Sequence, residues 1–435
     1  MTRGPAVLRR RGVAMTDVDA NAPDARPAEQ EDRLDLDGLG QAFVRDPYPV
    51  LAALRAEQPV RRVIYHGAPA YLVTRFADAQ AMYSDPRITA DKSVASPQIR
   101  ALPWIAASDM IGLGRSMPFV DPPVHTRLRR LVSREFTPRR VETLRPFTRA
   151  VTDELLDGVL ERGQADIIGD FSVPLTSRVI MKLVGVPPTD IKAFQDYSTI
   201  FLSTDPADQA RLPEALIWMR EYIVSLVAGK RAEPGDDLLS ALIAVQEDGE
   251  RLDETELGSM TMMLLIAGFE TTASLIGNGM LALLTHPDQL DALRAEPGLV
   301  PGAIEEMLRY DNVLSTSLPR YAGEDMTLGG VAIPRGEMVI ASWLAANRDP
   351  ARFPDPDVFD VRRGDTGHIG FAHGFRFCLG APLARMEAAT AFTALLERCP
   401  RIALAVPAQE LAWRVTPNLR GLKTLPLTFA AAETG

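Results

Sequence analysis

Helical patterns of apolar and polar positions dominate the chain, whereas runs typical of strands are short and scattered. Three such runs predict strands, at Tyr71–Thr74, Met338–Ala341 and Thr424–Phe429. The chain lacks the regular alternation of strands and helices that a doubly wound sheet requires. The pattern therefore predicts a mainly α fold with small β-sheets, built as one domain.

The longest helix is expected to begin after Asp253, because Glu256 stands three residues further on in capping-box spacing. No proline interrupts the pattern before His286-Pro287, so the helix should end near Thr285. At 1.5 Å per residue it would span about 48 Å. Its middle, Met260–Phe269, is apolar on all sides, which predicts a buried central helix. A bilayer crossing needs roughly 20 apolar residues, so we expect no membrane span.

Small and polar residues interrupt this apolar middle at Ala267, Gly268, Glu270 and Thr271. A mid-helix glycine costs about 1 kcal/mol relative to alanine, and a buried charge costs more unless it is compensated. Helix stability alone does not favour these residues. They indicate either a functional site or, more simply, a packing glycine beside an ion-paired glutamate.

Composition narrows the class of protein. The 435 residues include 57 acidic and 47 basic ones, for a net charge of −10, which argues against wholesale nucleic-acid binding. Two cysteines, Cys378 and Cys399, cannot form a disulfide framework, and this usage fits a reducing cytoplasm. Residues 1–34 are rich in Ala, Asp, Pro, Glu and Arg, which predicts a disordered tail before a domain of residues 35–435.

Cys378 stands in a loop between Gly374 and Gly380, just before a helix expected to begin at Ala381. Backbone N–H groups and the dipole at a helix N-terminus favour a thiolate, which is a good metal ligand. A buried structural thiol is the alternative, and it is the interpretation we prefer for Cys399.

The segment Phe371–Gly380 resembles the haem-binding loop of cytochromes P450. The positions that carry the resemblance are Phe371, Gly374, Arg376, Cys378 and Gly380. The resemblance implies that Cys378 is the axial ligand of the iron of haem b and that the other four residues bind the cofactor. Axial thiolate ligation favours O–O cleavage in this family.

Two residues depart from the family pattern. Ala372 stands where bacterial members usually have glycine, and we expect a slight distortion of the loop there. Arg376 stands where many members have histidine, and it would offer a fixed positive charge to a haem propionate.

Further motifs match the family in the expected order. The acid–Thr pair Glu270 and Thr271 falls where members deliver protons to bound dioxygen, with Ala267 and Gly268 leaving room for it. The resemblance also assigns His125, Arg129 and Arg320 to the haem propionates. Without it, His125 and Arg129 would be interpreted as part of a solvated basic face.

Glu306 and Arg309 match a pair that forms a buried network in the family, although the bare spacing is common in surface ion pairs. The usual third member is an arginine, but Val358 occupies its position. Arg362 or Arg363 could substitute, and the sequence does not distinguish them.

The resemblance implies a soluble, monomeric haem-thiolate monooxygenase of the cytoplasm. It would activate O2 with two electrons from NAD(P)H, delivered by ferredoxin reductase and ferredoxin. Eight arginines and two glutamates between Thr126 and Ala150 form a basic patch on which an acidic ferredoxin could dock. Two alternatives are a haem-thiolate protein that binds a ligand without turnover and a cofactor-free helical scaffold.

The expected substrate is a large hydrophobic molecule that is hydroxylated or epoxidised, because parts of the chain resemble actinobacterial members that tailor macrolides and other polyketides. A terpenoid, steroid or peptide is the alternative. The segments expected to line the pocket are mostly apolar: Met110–Ser116, Phe194–Trp218, Met263–Ala267 and Val313–Leu318.

Overall fold

Helices make up most of the described chain. The computed structural model describes residues 34–102, 105, 112–203, 205–245, 251–414, 416 and 418–430. The predicted tail lies outside these residues, except for Leu34, which begins the first strand.

The α-helices are α1 (Gly40–Arg45), α2 (Tyr48–Glu57), α3 (Phe76–Ser84), α4 (Pro97–Arg100), α5 (Val124–Ser133), α6 (Pro138–Thr143), α7 (Arg145–Arg162), α8 (Val173–Val184), α9 (Ile191–Leu202), α10 (Pro206–Ala232), α11 (Leu238–Ala244), α12 (Glu254–Thr285), α13 (Pro287–Ala295), α14 (Val300–Tyr310), α15 (Trp343–Ala346) and α16 (Ala381–Arg398).

The strands are β1 (Leu34–Asp35), β2 (Val60–Tyr65), β3 (Ala68–Val73), β4 (Ile88–Thr89), β5 (Gln164–Asp166), β6 (Arg320–Ala322), β7 (Met326–Leu328), β8 (Val331–Ile333), β9 (Met338–Ala341), β10 (Arg401–Leu404) and β11 (Pro426–Ala430). They form three sheets, in the orders β1-β2-β3-β9-β6-β4, β10-β11-β5 and β7-β8. The prediction of a mainly α fold with small sheets is confirmed, and the three predicted strands correspond to β3, β9 and β11.

The largest sheet is built around a tight hairpin and buries both of its faces. His66 and Gly67 join β2 to β3 with φ angles of 52° and 71°, the left-handed backbone that two-residue hairpin turns use. Alternate residues of β3 then pack into two separate apolar clusters, with Leu72 in one and Val73 in the other. This sheet carries Arg320 on β6, and the charge of Arg320 acts on His125 of α5.

Helix α12 begins and ends where the sequence predicted. The Asp253 carboxylate accepts the N–H of Glu256 at 2.7 Å, and the Glu256 carboxylate accepts the N–H of Asp253 at 3.0 Å. By length and hydropathy α12 could cross a membrane, but most of its apolar stretch is buried inside the protein, as in the core helix of a soluble protein. Gly279 allows this packing, since a Cβ there would lie 2.5 Å from Sδ of Met307 and 2.8 Å from Cζ of Phe392.

Candidate functional site

The cysteine loop closes on itself before α16. The N–H of Cys378 donates to the carbonyl of Phe371 over 2.8 Å. Gly374 begins a 3-10 turn with φ of 63°, a backbone conformation that glycine adopts without steric cost. Helix α16 starts at Ala381, as predicted, so the sulfur-bearing residue immediately precedes a helix N-terminus.

Ala372 carries the strain that its departure from the family pattern predicted. Its φ is 64°, in the left-handed region. An L-residue with a Cβ pays roughly 1–2 kcal/mol for that backbone. The methyl group packs against the apolar cluster on one face of the largest sheet, which offsets part of the cost.

The Cys378 thiol is not converted to a thiolate by its backbone position alone. Burial among protein atoms raises its pKa, and this outweighs the lowering effects of the N–H groups of Gly380 and Ala381 and of the Arg129 charge. The predicted effect of the helix N-terminus is present, because these N–H groups lower the pKa of the thiol, but burial has the larger effect although part of the residue is accessible to solvent. A cation bound at the sulfur is what would favour the thiolate.

Helix α5 brings two of the predicted residues to this loop. Arg129 donates from Nη1 to the carbonyl of Phe377, next to Cys378, over 2.8 Å. The buried ring of His125 lies edge-on to Phe375, with 5.1 Å between ring centroids.

The Arg376 side chain already has an ion-pair partner and a hydrogen-bond acceptor within the protein. It forms an ion pair with Asp121, just before α5, and donates to the carbonyl of Val120 at 3.2 Å. The Asp121 carboxylate also accepts the N–H of Ala90 at 2.9 Å. Arg376 thus joins the loop to the entry of α5, a contact that the sequence did not indicate, and its role toward a propionate stays a prediction.

Positive charge accumulates on this side of the loop. Burial, followed by the charges of Arg376, Arg129 and Arg320, lowers the pKa of His125 to about 4. Burial and the charge of Arg320 lower the pKa of Arg376 to about 10. Nδ1 of His125 and Nε of Arg320 are buried without a hydrogen-bond partner in the structure. The cluster therefore suits a ligand that carries carboxylates.

The interrupted middle of α12 presents its residues in different directions. Ala267 is exposed, and the Thr271 hydroxyl donates to the Ala267 carbonyl over 2.8 Å. Glu270 is buried and forms an ion pair with Arg414, which sequence reasoning missed because nothing around Trp413-Arg414 marks it. Glu270 is therefore ion-paired, as the simpler alternative expected, while the functional role of Glu270 and Thr271 stays a prediction.

Gly268 serves helix packing. A Cβ on it would lie 2.4 Å from Cγ1 of Ile180 on α8, so a larger residue would push the two helices apart. The expectation that this glycine leaves room for dioxygen is corrected: the space that its missing side chain leaves is filled by Ile180.

The network expected around Glu306 is present, and Arg363 is its third member. Arg309 donates to both Glu306 oxygens at 2.7 and 2.8 Å, and both side chains are buried. Arg363 donates from Nε to Glu306 at 3.2 Å, while Arg362 pairs with Glu296. Arg309 also donates to the carbonyl of Val358, so the backbone at that position takes part although its side chain cannot.

Comparisons with known proteins identify relatives of this chain. A family profile described as Cytochrome P450 matches residues 208–401. The chain is 46% identical to the cytochrome P450 monooxygenase PikC of Streptomyces venezuelae over 401 residues, covering 91% of this chain and 94% of that protein. It is 42% identical to the 6-deoxyerythronolide B hydroxylase of Saccharopolyspora erythraea over 391 residues, covering 89% and 96%.

Among solved structures, the polyketide synthase cytochrome P450 PksS of Bacillus subtilis superimposes with a TM-score of 0.84 at 38% identity, covering 90% of this chain and 98% of that one. The chain belongs to the cytochrome P450 family. Cytochromes P450 of this kind are monooxygenases that bind haem b and use O2 and electrons from NAD(P)H through redox partners. The comparisons thus favour the monooxygenase over both alternatives.

The residues present fit the haem of a cytochrome P450. The accessible Cys378 can supply the axial thiolate, and the orphaned Nδ1 of His125 and Nε of Arg320 can receive the two propionates. Among the described residues there is no cluster of three or more His, Cys, Asp or Glu that could hold a separate metal ion. Cys399 is fully buried, with a pKa raised to about 11 by burial, as expected of an inert thiol.

The pocket-lining segments predicted for this cytochrome P450 have mixed outcomes. Met110 lies outside the described residues. Phe194 is buried, and Trp218 stacks on Tyr197 and Tyr222 at 4.5 and 4.9 Å between centroids, so these rings join α9 to α10. Ser315 and Thr316 line a cavity of about 320 Å³ together with Arg414 and apolar side chains, but the residues that line it include none from α12 or from the cysteine loop, so the predicted substrate pocket stays a prediction.

The arginine-rich stretch of this cytochrome P450 is partly neutralised. Arg127 pairs with Glu256, Arg145 with Glu142, and Arg149 with Asp153. The patch of eight arginines therefore offers less net charge to a partner than the sequence suggested, and its docking role stays a prediction.

Proposed function

We propose that this cytochrome P450 inserts oxygen into a large hydrophobic small molecule of the polyketide or macrolide type, by hydroxylation or epoxidation. The observation that carries the proposal is the 46% identity to a Streptomyces monooxygenase together with close similarity to a polyketide synthase cytochrome P450.

Haem bound at Cys378 supplies the activation of dioxygen. Around it, Arg129 fixes the cysteine loop through the Phe377 carbonyl. The neutral ring of His125 would donate a hydrogen bond to one propionate, and the Arg320 guanidinium would supply positive charge to the other.

In this proposal Thr271 and Glu270 deliver protons to the site. The Thr271 hydroxyl donates to the Ala267 carbonyl, and a small rotation of its side chain would let it donate to a water instead. Glu270 is held by Arg414 in a buried position, where a carboxylate can accept a proton from one side and release it to the other. Electrons would arrive from a ferredoxin and its reductase, and the enzyme would act as a cytoplasmic monomer.

Two measurements test the proposal. Macrolactones, a steroid and a terpenoid are each titrated while the haem spin state is followed in the optical spectrum; the proposal expects the macrolactones to give the largest change. Turnover is then measured with NADPH and a surrogate ferredoxin and ferredoxin reductase. A steroid or terpenoid that binds and turns over better than every macrolactone would contradict the substrate class.

The proton roles are tested separately in Thr271→Ala. Loss of the hydroxyl should slow product formation and raise hydrogen peroxide release per NADPH consumed. An unchanged rate with no extra peroxide would remove Thr271 from the mechanism.

A further inference from the structure

The cysteine loop is tied to α5 at two places, one on each side of His125. Four residues after His125, Arg129 donates to the carbonyl of Phe377 over 2.8 Å. Four residues before His125, Asp121 forms an ion pair with Arg376. Together the two ties fix the position of the loop relative to the ring of His125.

The guanidinium of Arg376 is held by one short segment of the chain. Its Nη2 donates to the carboxylate of Asp121, and its Nη1 donates to the carbonyls of Val120 at 3.2 Å and Pro118 at 3.4 Å. The Arg376 side chain is only 7% exposed, so little water is present to replace these acceptors. Turning Arg376 toward another anion would cost it all three of them.

Asp121 is itself fixed by the largest sheet and by α5. Its carboxylate accepts hydrogen bonds from the hydroxyl of Thr89 on β4, from the N–H of Ala90 at 2.9 Å and from the N–H of Asp91 at 3.2 Å. Its backbone carbonyl accepts the N–H of His125 at 2.9 Å, at the start of α5. A carboxylate held by this many donors presents its charge to Arg376 in one direction.

Two other basic side chains of this cluster differ from Arg376. Nδ1 of His125 and Nε of Arg320 are buried without a hydrogen-bond partner, whereas Arg376 has a carboxylate of its own. Since buried polar atoms are normally satisfied, His125 and Arg320 are the groups that need an external acceptor.

We propose that Asp121 is a positioning residue of the haem site, which holds Arg376 as a tie between the cysteine loop and α5 and leaves the propionates to His125 and Arg320. The role that the family pattern suggested for Arg376 changes accordingly. Loss of the tie would let the loop that carries Cys378 shift relative to α5. The inference rests on the proposed function, because it requires haem bound at Cys378.

The first test is a double-mutant cycle on haem release, with the wild type, Asp121→Asn, Arg376→Gln and the double variant. Asp153→Asn is the matched control, because it removes the same charge from pairs with Arg149 and Arg398. Two properties are measured at pH 7. One is the rate of haem transfer from the ferric protein to excess apomyoglobin. The other is the fraction of the red-shifted Soret band in the reduced CO complex, compared at equal haem content.

Each single variant should release haem about tenfold faster than the wild type, as expected for the loss of a hydrogen bond between charged groups. The double variant should exceed the faster single variant by less than about twofold, because both changes remove the same tie. Both single variants should also lower the red-shifted fraction, which a general loss of stability would not change at equal haem content. Asp153→Asn should match the wild type.

The opposite assignment gives the opposite sign. If Arg376 binds a propionate, Asp121→Asn frees its charge for that role and removes a negative charge from the site, so haem release should be unchanged or slower. That result, or release from Arg376→Gln at the wild-type rate, overturns the inference.

A second measurement does not depend on the folding of Asp121→Asn. The wild type and Arg376→Gln are reconstituted with haem and with haem dimethyl ester, whose propionates carry no charge. The inference expects Arg376→Gln to speed release by the same factor with both compounds, and a factor that falls to about one with the ester overturns it. If Arg376→Gln does not fold, Arg376→Lys takes its place, and wild-type release from that variant also overturns the inference.

Failure of the inference is distinguishable from failure of the proposed function. A wild type without a red-shifted Soret band in the reduced CO complex contradicts the proposed function, and the inference fails with it. A wild type with that band, beside Asp121 and Arg376 variants that behave like Asp153→Asn, contradicts the inference alone.

Discussion

The buried arginine of α14 gives the sharpest test of how this fold is held together. Arg309→Met removes a side chain with no exposure to solvent but keeps most of its apolar volume. Glu306, also buried, would keep only Arg363 at 3.2 Å and the N–H of Asp360 at 3.0 Å.

Removing one partner of a buried pair costs about 3–5 kcal/mol. Because Arg363 still compensates part of the Glu306 charge, we take the lower end, about 3 kcal/mol. The carbonyls of Asn347 and Pro356 also lose their Arg309 donor, at about 1 kcal/mol each. The expected decrease in the free energy of unfolding is about 5 kcal/mol in total. This is a large share of the free energy of unfolding of a typical folded protein, which is about 5–15 kcal/mol.

The assay is urea unfolding at 25 °C, followed by far-UV circular dichroism, with haem retention measured by the Soret band. Arg362→Met is the matched control, because its pair with Glu296 is about half exposed on both sides and should contribute less than about 1 kcal/mol. If Arg309→Met lowers the free energy of unfolding by less than about 1 kcal/mol, as the control variant should, the reasoning is refuted.

Three further predictions follow from individual side chains. In the haem-free protein, the pKa of His125 is about 4 in the folded state, against 6.5 in the unfolded state. Between pH 4 and pH 6.5 the unfolded state therefore binds more protons than the folded state. The free energy of unfolding should fall by up to about 3 kcal/mol as the pH drops from 6.5 to 4. His125→Gln should abolish that part of the slope in urea midpoints, and an unchanged slope would contradict the assignment. Ala372→Gly relieves a left-handed alanine and should raise the free energy of unfolding by less than about 1 kcal/mol; a clear drop in Tm would show that the methyl contact dominates. Arg414→Gln leaves the buried Glu270 carboxylate unpaired, so peroxide release per NADPH should rise, and coupling equal to that of the wild type would exclude a role for this pair.

Much of the fold could be predicted because its signals are local. Asp253 and Glu256 lie within one turn and fix where α12 begins, and the strand Met338–Ala341 has the predicted bounds. The same holds for the cysteine loop, whose Gly374 and Ala372 adopt the backbone that their positions required.

The parts that could not be predicted depend on residues far apart in the chain. Arg414 and Glu270 form an ion pair although they are 144 positions apart in the chain, and the sequence around neither residue predicts its partner. Gly268 suggested an open space, yet the packing of Ile180 from α8 fills it. The net direction of the Cys378 thiol pKa could not be predicted, because burial, which only the tertiary structure reveals, outweighs the lowering effect of the local helix terminus.

The axial bond between Cys378 and iron is tested most directly by the optical spectrum of the reduced, CO-treated protein. The wild type and Cys399→Ser should both show the red-shifted Soret band of thiolate ligation, whereas Cys378→Ser should lose it. A Cys378→Ser protein that keeps that band and still oxidises its substrate would contradict the account.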